Sequence, residues 1–374
     1  MKKNNYPDIY KKRISVLVSD SDNTEPKKIL LVKHEDIFYF TGFYGKDSGS
    51  ILLISPKKTY LLVNFIYYEQ ARSSVGDDIE VVLYKGDRIK EAANILSSKK
   101  ISQLEIDGNN ININDFNQLE KELKRSRIKI NIKKDITAQL RMAKDSHELE
   151  IISKACSITD NAFNKLLTLS NREIREFDEI SLANRLEGFC IESGGSGRSF
   201  DYVVASGPGS SMPHYISSHR NISEGILLMD FGTLYKHYCS DITRTIFVGK
   251  DKLDKKLKEI YKIVLEAQLK AIEACREGIR CDQLDGIARK YIEAAGYGEE
   301  FGHGLGHGVG LEVHEGPYVT RKNKAVLKEN MVITIEPGIY IPGLGGARIE
   351  DMVVVEKNGC RNLYSAKKDF TFLA

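Results

Sequence analysis

The stretch "LLMDFGTLYKHYCSDITRTIF", residues 227–247, places two aspartates inside strand-like apolar sequence. Asp230 and Asp241 interrupt segments rich in Leu, Met, Ile and Phe, where an uncompensated buried charge costs on the order of several kcal/mol. Both positions are about equally far from Tyr235 and Lys236, so a hairpin turning there would bring the two carboxylates side by side. Two carboxylates that close repel each other unless a proton or a cation lies between them.

The stretch "MVITIEPGIYIPGLGGARIEDMVVV", residues 331–355, repeats this arrangement. Glu336 and Glu350 each follow an apolar strand-like segment, and their midpoint is Gly343, inside the turn signal "PGLGG". The sequence therefore predicts a second hairpin with a second facing pair of carboxylates. Four carboxylates in segments that should be buried are more than one shared proton can neutralise. A divalent metal centre, with two ions, is the simplest account.

Either pair of carboxylates alone also has an ordinary structural interpretation. An aspartate at a strand end often caps a turn or a helix, and "IED" at residues 349–351 could form a surface ion pair. Both hairpins show the same pattern, however, and a histidine-rich stretch lies between them in sequence. That combination favours a functional site over two unrelated structural pairs.

The stretch "FGHGLGHGVGLEVHEG", residues 301–316, contains His303, His307 and His314. Glycines occupy the even positions from 302 to 310 and larger residues the odd ones, so a period of two predicts extended backbone. This excludes the helical zinc-protease motif H-E-x-x-H, in which two histidines share one helical face. The glycines would let neighbouring backbone or a ligand approach closely. A lone histidine here would be an ordinary core residue, whereas three beside four carboxylates favour function.

The composition is typical of a globular protein with more than one domain. A chain of 374 residues exceeds the size at which single cores stop growing, so we expect two domains. It is 41% apolar and 29% charged, which is too hydrophobic and too balanced for a disordered chain. The net charge of +3 arises from 55 basic and 52 acidic residues spread along the chain, without the basic block that marks nucleic-acid binding.

Cysteine usage and hydropathy indicate the cellular compartment. The six cysteines form no C-x-x-C or zinc-finger spacing, which favours free thiols in a reducing compartment. No signal-peptide core follows the N-terminal lysines, and no apolar run approaches the roughly 20 residues of a membrane span. The sequence therefore predicts a cytoplasmic protein that does not associate with membranes.

The first third of the chain alternates strand-like and helix-like segments, which predicts an α/β domain. The predicted strands are "ISVLVS" (14–19), "KILLVK" (28–33), "SILLIS" (50–55) and "TYLLVN" (59–64). The predicted helices are "RIKEAANILSSKK" (88–100) and "NDFNQLEKELKRSR" (114–127).

A long amphipathic helix then begins near Asp145 or Ser146, either of which can cap it. We place the domain boundary just before this helix, which gives domains of residues 1–135 and 136–374. In the second domain, helices alternate with hairpin-like strands, which predicts an α+β fold. The predicted helices cover residues 145–169, 173–193, 251–276 and 281–295.

Five motifs in this order closely resemble those of the pita-bread metallopeptidases, especially the Xaa-Pro peptidases (aminopeptidase P and prolidase). They are "HYISSHRNISEGILLMDFG" (214–232), "CSDITRT" (239–245), "FGHGLGHGVGLEVHE" (301–315), "VITIEPGIYIPG" (332–343) and "RIED" (348–351). "FYFTGFYGKDSGSILLI" (38–54) is similar to the family's first domain, and "LRMAKDSHELEIISKA" (140–155) to its interdomain helix. The resemblance implies a creatinase-like α/β N-terminal domain followed by an α+β pita-bread catalytic domain.

The resemblance also implies a ligand set for two divalent metal ions per subunit. The ligands would be Asp230, Asp241, His307, Glu336 and Glu350, with Asp241 and Glu350 bridging the two ions. One imidazole with four carboxylates suits Mn²⁺, Co²⁺ or Zn²⁺, and we expect Mn²⁺ first.

The remaining motif residues take two kinds of role by similarity. The catalytic residues would be His214 and His314, which stabilise the tetrahedral intermediate or move protons, and Glu336, which takes a proton from water. The residues that hold the proline side of the substrate would be His303, Tyr340 and Arg348. Since an Xaa-Pro bond lacks the amide hydrogen of ordinary peptides, a pocket shaped for the pyrrolidine ring can be selective.

One departure from the family pattern bears on the substrate. Proline dipeptidases often carry an arginine just after "HE-x-P", where it grips the dipeptide's free carboxylate, and this chain has Tyr318 there. This favours an aminopeptidase P that removes the residue before proline from longer peptides, with a dipeptidase (prolidase) as the alternative. Gly225-Ile226 and His237 also depart from the pattern, but neither replaces a ligand.

Other members of the fold remain as competing interpretations. A non-catalytic pita-bread binding protein or a creatinase-like enzyme without metal would not keep the ligand set complete. Methionine aminopeptidase usually lacks an N-terminal domain of this kind. The resemblance further implies a homodimer that takes peptides with proline at the second position.

Overall fold

The computed structural model describes residues 8–19, 27–98, 101–249, 254–369 and 372–373. The chain divides into two compact units, Met1–Leu140 and Arg141–Ala374. The expected boundary at 135/136 lies shortly before this division. The last residues of the predicted helix 88–100 and the first of the predicted helix 251–276 lie outside the described residues.

The first unit is a six-stranded mixed sheet with helices. Its strands are β1 (Ile29–Leu31), β2 (Ile51–Ile54), β3 (Thr59–Val63), β4 (Ile79–Leu83), β5 (Gln103–Asp107) and β6 (Lys129–Lys133). Its helices are α1 (Asp8–Val18), α2 (His34–Thr41), α3 (Tyr68–Ser74), α4 (Arg88–Ser98) and α5 (Ile113–Lys124), and α6 (Ala138–Met142) includes the division. The strand order is β4-β3-β2-β1-β5-β6, antiparallel at β1–β2 and β2–β3 and parallel elsewhere. The α/β prediction is confirmed.

The prediction of a strand at "ISVLVS" is wrong, because residues 14–18 belong to α1. The buried residues of this helix, Arg13 and Leu17, are four positions apart, which is the spacing of one helical face. The Arg13 guanidinium donates to the Tyr39 carbonyl at 2.8 Å and lies 3.9 Å from the Tyr39 ring. The β-branched residues favour a strand locally, and this packing overrides their preference.

In the described residues of the second unit, two larger sheets combine with five α-helices. Its strands are β7 (Val203–Ser206), β8 (Gly225–Phe231), β9 (Leu234–Tyr235), β10 (Tyr238–Cys239), β11 (Ile242–Val248), β12 (Gly306–Gly308), β13 (Glu315–Val319), β14 (Val332–Ile335), β15 (Gly338–Ile341), β16 (Gly345–Arg348), β17 (Asp351–Glu356), β18 (Gly359–Asn362) and β19 (Phe372–Leu373). Its helices are α7 (Ser146–Leu166), α8 (Asn171–Arg175), α9 (Glu179–Glu192), α10 (Lys255–Ala274) and α11 (Cys281–Ala294).

The strands of this unit pair as β19-β11-β8-β7 and as β13-β12-β14-β17-β18, with the small ladders β9–β10 and β15–β16 beside them. This arrangement confirms the α+β prediction. No helix in the described part of the chain is long and apolar enough to span a membrane.

Helix α7 begins where the sequence predicts. The Asp145 carboxylate accepts from the Glu148 amide at 3.0 Å, and the Glu148 carboxylate accepts from the Asp145 amide at 3.1 Å. This reciprocal pair is a capping box, which satisfies two amides that a helix start leaves free.

Helices α10 and α11 cover the apolar side of the second predicted hairpin. Ile260 of α10 and Leu284 of α11 belong to the same buried cluster as Ile335 and Ile349. These two isoleucines directly precede Glu336 and Glu350 in sequence. Because neighbouring strand residues point to opposite faces, the core holds the isoleucines and turns the two carboxylates the other way.

A buried arginine joins the two hairpins. The Arg244 guanidinium donates to the carbonyls of Glu350 at 2.6 Å and Ala366 at 3.2 Å, and forms an ion pair with Asp351 at 2.7 Å. Arg244 lies on β11, whereas Glu350 and Asp351 lie on the second hairpin. The ion pair therefore fixes the distance between the strands that carry the candidate ligands.

We expect Arg244→Met to lower the free energy of unfolding by about 2–3 kcal/mol, because buried carbonyls lose their donor and the buried Asp351 keeps only Lys368 as a cationic partner. Chemical denaturation would measure the change. The matched control is Arg175→Met, which breaks the partly exposed pair of Arg175 with Glu224 at 2.9 Å and should cost less than about 1 kcal/mol. Equal losses for both variants would contradict this role of Arg244.

Candidate active site

The first predicted hairpin is formed by β8 and β11. Asp230 pairs with Thr243, and the hairpin closes at Lys236 and His237, whose φ angles are 46° and 72°. Asp241 is therefore a diagonal neighbour of Asp230 on the same face. The two carboxylates meet as predicted, but diagonally rather than directly opposite each other.

The second predicted hairpin places its two glutamates opposite each other. Ile335 pairs with Asp351 in the β14–β17 ladder, and Gly338 pairs with Arg348 in the β15–β16 ladder. Both ladders have the same register, which places Glu336 opposite Glu350. The turn contains Gly343, which has a φ of 79°. The Glu350 amide donates to the Thr243 carbonyl at 3.1 Å, so this hairpin contacts the first one beside the candidate ligands.

His307 lies in β12, between β13 and β14. A Cβ on Gly306 would lie 2.0 Å from the Thr334 carbonyl oxygen, and one on Gly308 would lie 2.1 Å from that of Gly316. These two glycines therefore permit the close approach of neighbouring backbone that their alternation predicts. The extended segment is shorter than predicted, because residues 309–314 form a loop.

Donor atoms from distant parts of the chain converge around His307. Its Nε2 lies 3.2 Å from Oε1 of Glu336 and 3.7 Å from Oδ2 of Asp241. One ligand atom each from Asp241, His307 and Glu350 lie within 4.8 Å of one another. Asp230 lines the same cavity, so the structure brings all five predicted metal ligands to one place.

The negative charges of the four predicted carboxylate ligands are only partly compensated by the positive charges around them. Burial raises the pKa of Asp230, Asp241 and Glu350, and neighbouring carboxylates raise it further. Burial also acts to raise the pKa of Glu336, but the hydrogen bond and charge of His307 outweigh it and lower this pKa to about 2. Conversely, Glu336 outweighs the burial of His307 and raises its pKa to about 9. A cation is the physical complement of such a site.

The donor chemistry fits a divalent metal ion. Within the described part of the chain, Oδ1 of Asp230 is buried and has no hydrogen-bond partner. A buried carboxylate oxygen without a donor is costly, and coordination to a cation would satisfy it. Four carboxylates with one imidazole form an oxygen-rich set, which suits Mn²⁺-like ions rather than a structural thiolate zinc.

The three residues predicted to hold the proline side form one hydrogen-bonded chain. Nε2 of His303 lies 2.9 Å from the Tyr340 hydroxyl, which accepts from the Arg348 guanidinium at 2.8 Å. Arg348 also donates to Asp230 at 2.6 Å and to the Thr243 hydroxyl at 2.9 Å. The chain therefore links the predicted proline contacts to a predicted metal ligand.

His303 and Arg348 line a cavity of about 420 Å³ together with the five predicted metal ligands. His214 and His314 are exposed on its wall, and the ring centroids of His314 and His307 are 4.3 Å apart. Tyr318 also lines the cavity, with an exposed fraction of 52%. Tyr340 is only 6% exposed and does not line the cavity itself, but its hydroxyl is hydrogen-bonded to His303 and Arg348, which do.

Two threonines that support the carboxylates were missed by the sequence motifs. The Thr243 hydroxyl donates to Glu350 at 2.6 Å. The Thr334 hydroxyl donates to Glu336 at 3.1 Å and accepts from the His307 amide at 3.0 Å. Each threonine lies two residues from a predicted ligand that borders its strand, Asp241 before β11 and Glu336 after β14, and residues two apart in extended backbone share a face. That spacing is the signal that would have found them.

Tyr364 also supports the site, and no motif pointed to it. Its hydroxyl accepts from the Asp241 amide at 3.1 Å and donates to the Asp241 carbonyl at 2.7 Å. This pair of bonds fixes the backbone of a candidate ligand. More than a hundred residues separate the two positions, so no local pattern connects them.

Family models and relatives agree with this geometry. Residues 150–357 match the model of metallopeptidase family M24, and residues 17–143 match that of the Creatinase/Prolidase N-terminal domain. An Xaa-Pro dipeptidase of Pyrococcus furiosus is 39% identical over 362 residues, which cover 96% of this chain and 99% of that protein.

Solved structures show the same fold. An Xaa-Pro dipeptidase from Bacillus anthracis superimposes with a TM-score of 0.89 at 35% identity, covering 97% of this chain and all of that one. An X-Pro aminopeptidase from Thermotoga maritima gives a TM-score of 0.83 at 34% identity, covering 92% of this chain and 97% of that one. The expected pita-bread fold and metallopeptidase class are thus confirmed, and with them the expectation of bound divalent metal. The chain belongs to metallopeptidase family M24, with a Creatinase/Prolidase N-terminal domain.

Proposed function

We propose that this protein is a dinuclear-metal Xaa-Pro peptidase that hydrolyses the bond before proline at the N-terminus of peptides. The observation that carries the proposal is the convergence of Asp241, His307 and Glu350 in a cavity that Asp230 and Glu336 also line. The related proteins and structures named Xaa-Pro peptidases support the same substrate class.

The five converging residues would hold the ions, with the buried Asp241 and Glu350 shared between them. Mn²⁺ is our first candidate, because oxygen donors dominate the set. Such ions supply hydroxide near neutral pH and polarise the scissile carbonyl.

Side chains of the protein then accept the proton from water and stabilise the negative charge that develops on the substrate. Glu336 accepts the proton of the attacking water, and the Thr334 hydroxyl, which donates to its Oε1 at 3.1 Å, holds this carboxylate in place. His214 and His314, on the cavity wall, donate to the oxygen that becomes negative as the carbonyl is attacked. A donor of this kind typically contributes roughly 3 kcal/mol to the lowering of the barrier.

Selectivity for proline follows from the chain of His303, Tyr340 and Arg348. The hydrogen bonds within it, at 2.9 and 2.8 Å, occupy the Tyr340 hydroxyl and make this part of the site rigid. The nitrogen of proline carries no hydrogen, so it needs no acceptor from these residues. Any other residue at this position would leave its amide hydrogen without a partner, which is unfavourable.

Aminopeptidase activity is favoured over dipeptidase activity by the charges on the cavity wall. Arg348 lines the cavity but is already paired with Asp230 at 2.6 Å, and Tyr318 occupies the place where an arginine could bind a dipeptide's carboxylate. Longer peptides have no carboxylate at that point. Xaa-Pro dipeptidase activity is the second candidate, because two of the relatives carry that name.

We further propose a cytoplasmic homodimer built from domains 1–135 and 136–374. The cysteines are present as thiols, which suits a reducing compartment. Phe65 and Ile66 of the first unit are 83% and 81% exposed, which is costly unless a partner covers them.

The first test of the function is metal dependence. The Mn²⁺-reconstituted protein should cleave Xaa-Pro-Yaa peptides, and Asp241→Ala should lower kcat/KM at least roughly a thousandfold, which corresponds to about 4 kcal/mol of lost barrier lowering. The exposed Glu266, changed to Ala, is the control and should leave activity intact. If the reconstituted wild type cleaves neither Xaa-Pro nor Xaa-Pro-Yaa, the proposed function is wrong.

The second test concerns peptide length. The wild type should prefer Xaa-Pro-Yaa to Xaa-Pro, and Tyr318→Arg should raise the relative kcat/KM for the dipeptide about tenfold, since a charged hydrogen bond contributes about 1.5–3 kcal/mol. Tyr318→Met is the matched control, because it removes the ring without adding charge. A wild type that strongly prefers the dipeptide would make prolidase the correct assignment.

The third test concerns assembly. Light scattering should give about twice the 42.1 kDa mass of one chain. Phe65→Glu combined with Ile66→Glu should shift the protein toward the monomer, because charge at an apolar interface is unfavourable. The exposed Ile191, changed to Glu, serves as the control in the second unit. A monomeric wild type would refute the dimer.

A further inference from the structure

A buried ionic network borders the loop that carries His314. One terminal nitrogen of the Arg141 guanidinium donates to Glu312 at 2.8 Å and to Glu315 at 2.6 Å. These two glutamates lie on either side of His314 in sequence. A single cation therefore holds the chain both before and after this histidine.

Lys144, three residues further along the chain and between helices α6 and α7, completes the network. Its ammonium donates to the second carboxylate oxygen of Glu315 at 2.5 Å and to the Arg141 carbonyl at 2.7 Å. The exposed fractions of the Arg141, Lys144 and Glu315 side chains are 7%, 1% and 8%. Burial acts to raise the pKa of Glu315, but the two cations outweigh it and lower this pKa. Both oxygens of the carboxylate are thus held in one orientation.

The backbone of the loop is shaped around this carboxylate. A Cβ on Gly310 would lie 2.6 Å from Oε1 of Glu315, so the absence of a side chain there gives the carboxylate its space. The Gly310 amide donates to the Glu312 carbonyl at 3.0 Å, and the Gly310 carbonyl accepts from the Cys239 amide at 2.8 Å. The loop is therefore tied at its start as well as at its end.

The ring of His314 depends on this backbone for its position. It is exposed on the cavity wall, with its centroid 4.3 Å from that of His307. An exposed ring is not enclosed by core packing, so its position depends on the segment from Glu312 to Glu315 and on its edge-on contact with the His307 ring.

Stability alone is a weak reason for such a network. A buried ion pair often contributes no more to folding than apolar residues of the same volume, whereas it does fix geometry. The same device recurs at His303, whose carbonyl accepts from Arg289 at 2.7 Å while Asp285 pairs with that arginine at 2.8 Å. One arginine therefore bonds the backbone of His303 directly, and another bonds the two glutamates that flank His314.

We propose that Arg141 and Lys144 are positioning residues for His314, which act through Glu312 and Glu315 to keep the imidazole at the cavity wall. The proposal rests on the function proposed above, in which His314 donates to the developing negative charge. A catalytic donor must be held within a fraction of an ångström, and misplacement by about 1 Å can cost roughly a hundredfold in rate.

The experiment uses the full-length, Mn²⁺-reconstituted protein with an Ala-Pro-Ala substrate. Arg141→Met should lower kcat roughly ten- to a hundredfold, while KM changes less than about twofold and the Mn²⁺ content stays the same. Arg175→Met is the matched control, because Arg175 forms a partly exposed ion pair with Glu224 at 2.9 Å outside the site, and it should leave kcat unchanged. Glu312→Gln removes only the ion pair between Arg141 and Glu312. Because the Glu312 side chain is 30% exposed, we expect this variant to fold even if Arg141→Met does not.

A double-mutant cycle separates positioning from a general structural role. In the His314→Ala background, Arg141→Met and Glu312→Gln should lower kcat less than about twofold, because the group they position is already gone. The same fold-change in both backgrounds would overturn the proposal, and so would a loss of Mn²⁺ that parallels the loss of kcat.

Hydrogen exchange gives a readout that does not depend on activity. Arg141→Met should speed amide exchange in the peptide 309–316 and leave a peptide from α10 unchanged. Unchanged exchange in 309–316 would also count against the proposal. An inactive wild type would defeat the proposed peptidase function instead, and the exchange result would still decide whether Arg141 orders the loop.

Discussion

The electrostatic repulsion among buried carboxylates is the constraint that shapes the second unit. Asp230, Asp241, Glu336 and Glu350 enter one cavity from two hairpins, and burial makes each of their charges costly. His307 is the imidazole among them, and its contact with Glu336 offsets part of that cost. The fold brings these groups together against their own repulsion, which is reasonable only if the site gains a cation.

Strand geometry accounts for how the site is assembled. On a hairpin, residues two positions apart share a face, so the residues two positions from Asp241, Glu336 and Glu350 are turned toward the same site. Thr243 and Thr334 supply hydroxyl donors in this way, and Arg348 supplies a guanidinium two residues before Glu350. Hydrophobic residues on the opposite face pack against helices α10 and α11. The same strands therefore build the core on one side and the metal centre on the other.

Much of this could be predicted from sequence, because the signals are local. Each hairpin contains its own turn and its own acid pair, and the capping box of α7 lies within four residues. Distant contacts could not be predicted in the same way. Helix α1 contains a β-branched run, and the packing of Arg13 on Tyr39 decides its conformation.

The length of the histidine-rich strand was overestimated for a related reason. Its alternating pattern continues through residues 309–314, but hydrogen bonds to Cys239 and Glu312 turn the backbone there. The Arg141 network joins positions about 170 residues apart, which no periodicity connects. Tyr364 and the backbone of Asp241 are similarly remote. Composition and spacing therefore located the chemistry, while its support came from contacts that only the folded chain makes.

The contacts of residues 364–366 have a consequence for biosynthesis. Tyr364 holds the Asp241 backbone, and the Ala366 carbonyl accepts from Arg244 at 3.2 Å. A chain that is still being translated at residue 350 already contains every predicted ligand but lacks these final supports. The first hairpin has all the contacts seen in its finished form only once residues 364–366 are in place. The backbone of a candidate ligand thus depends on a contact that the chain makes more than a hundred residues beyond it.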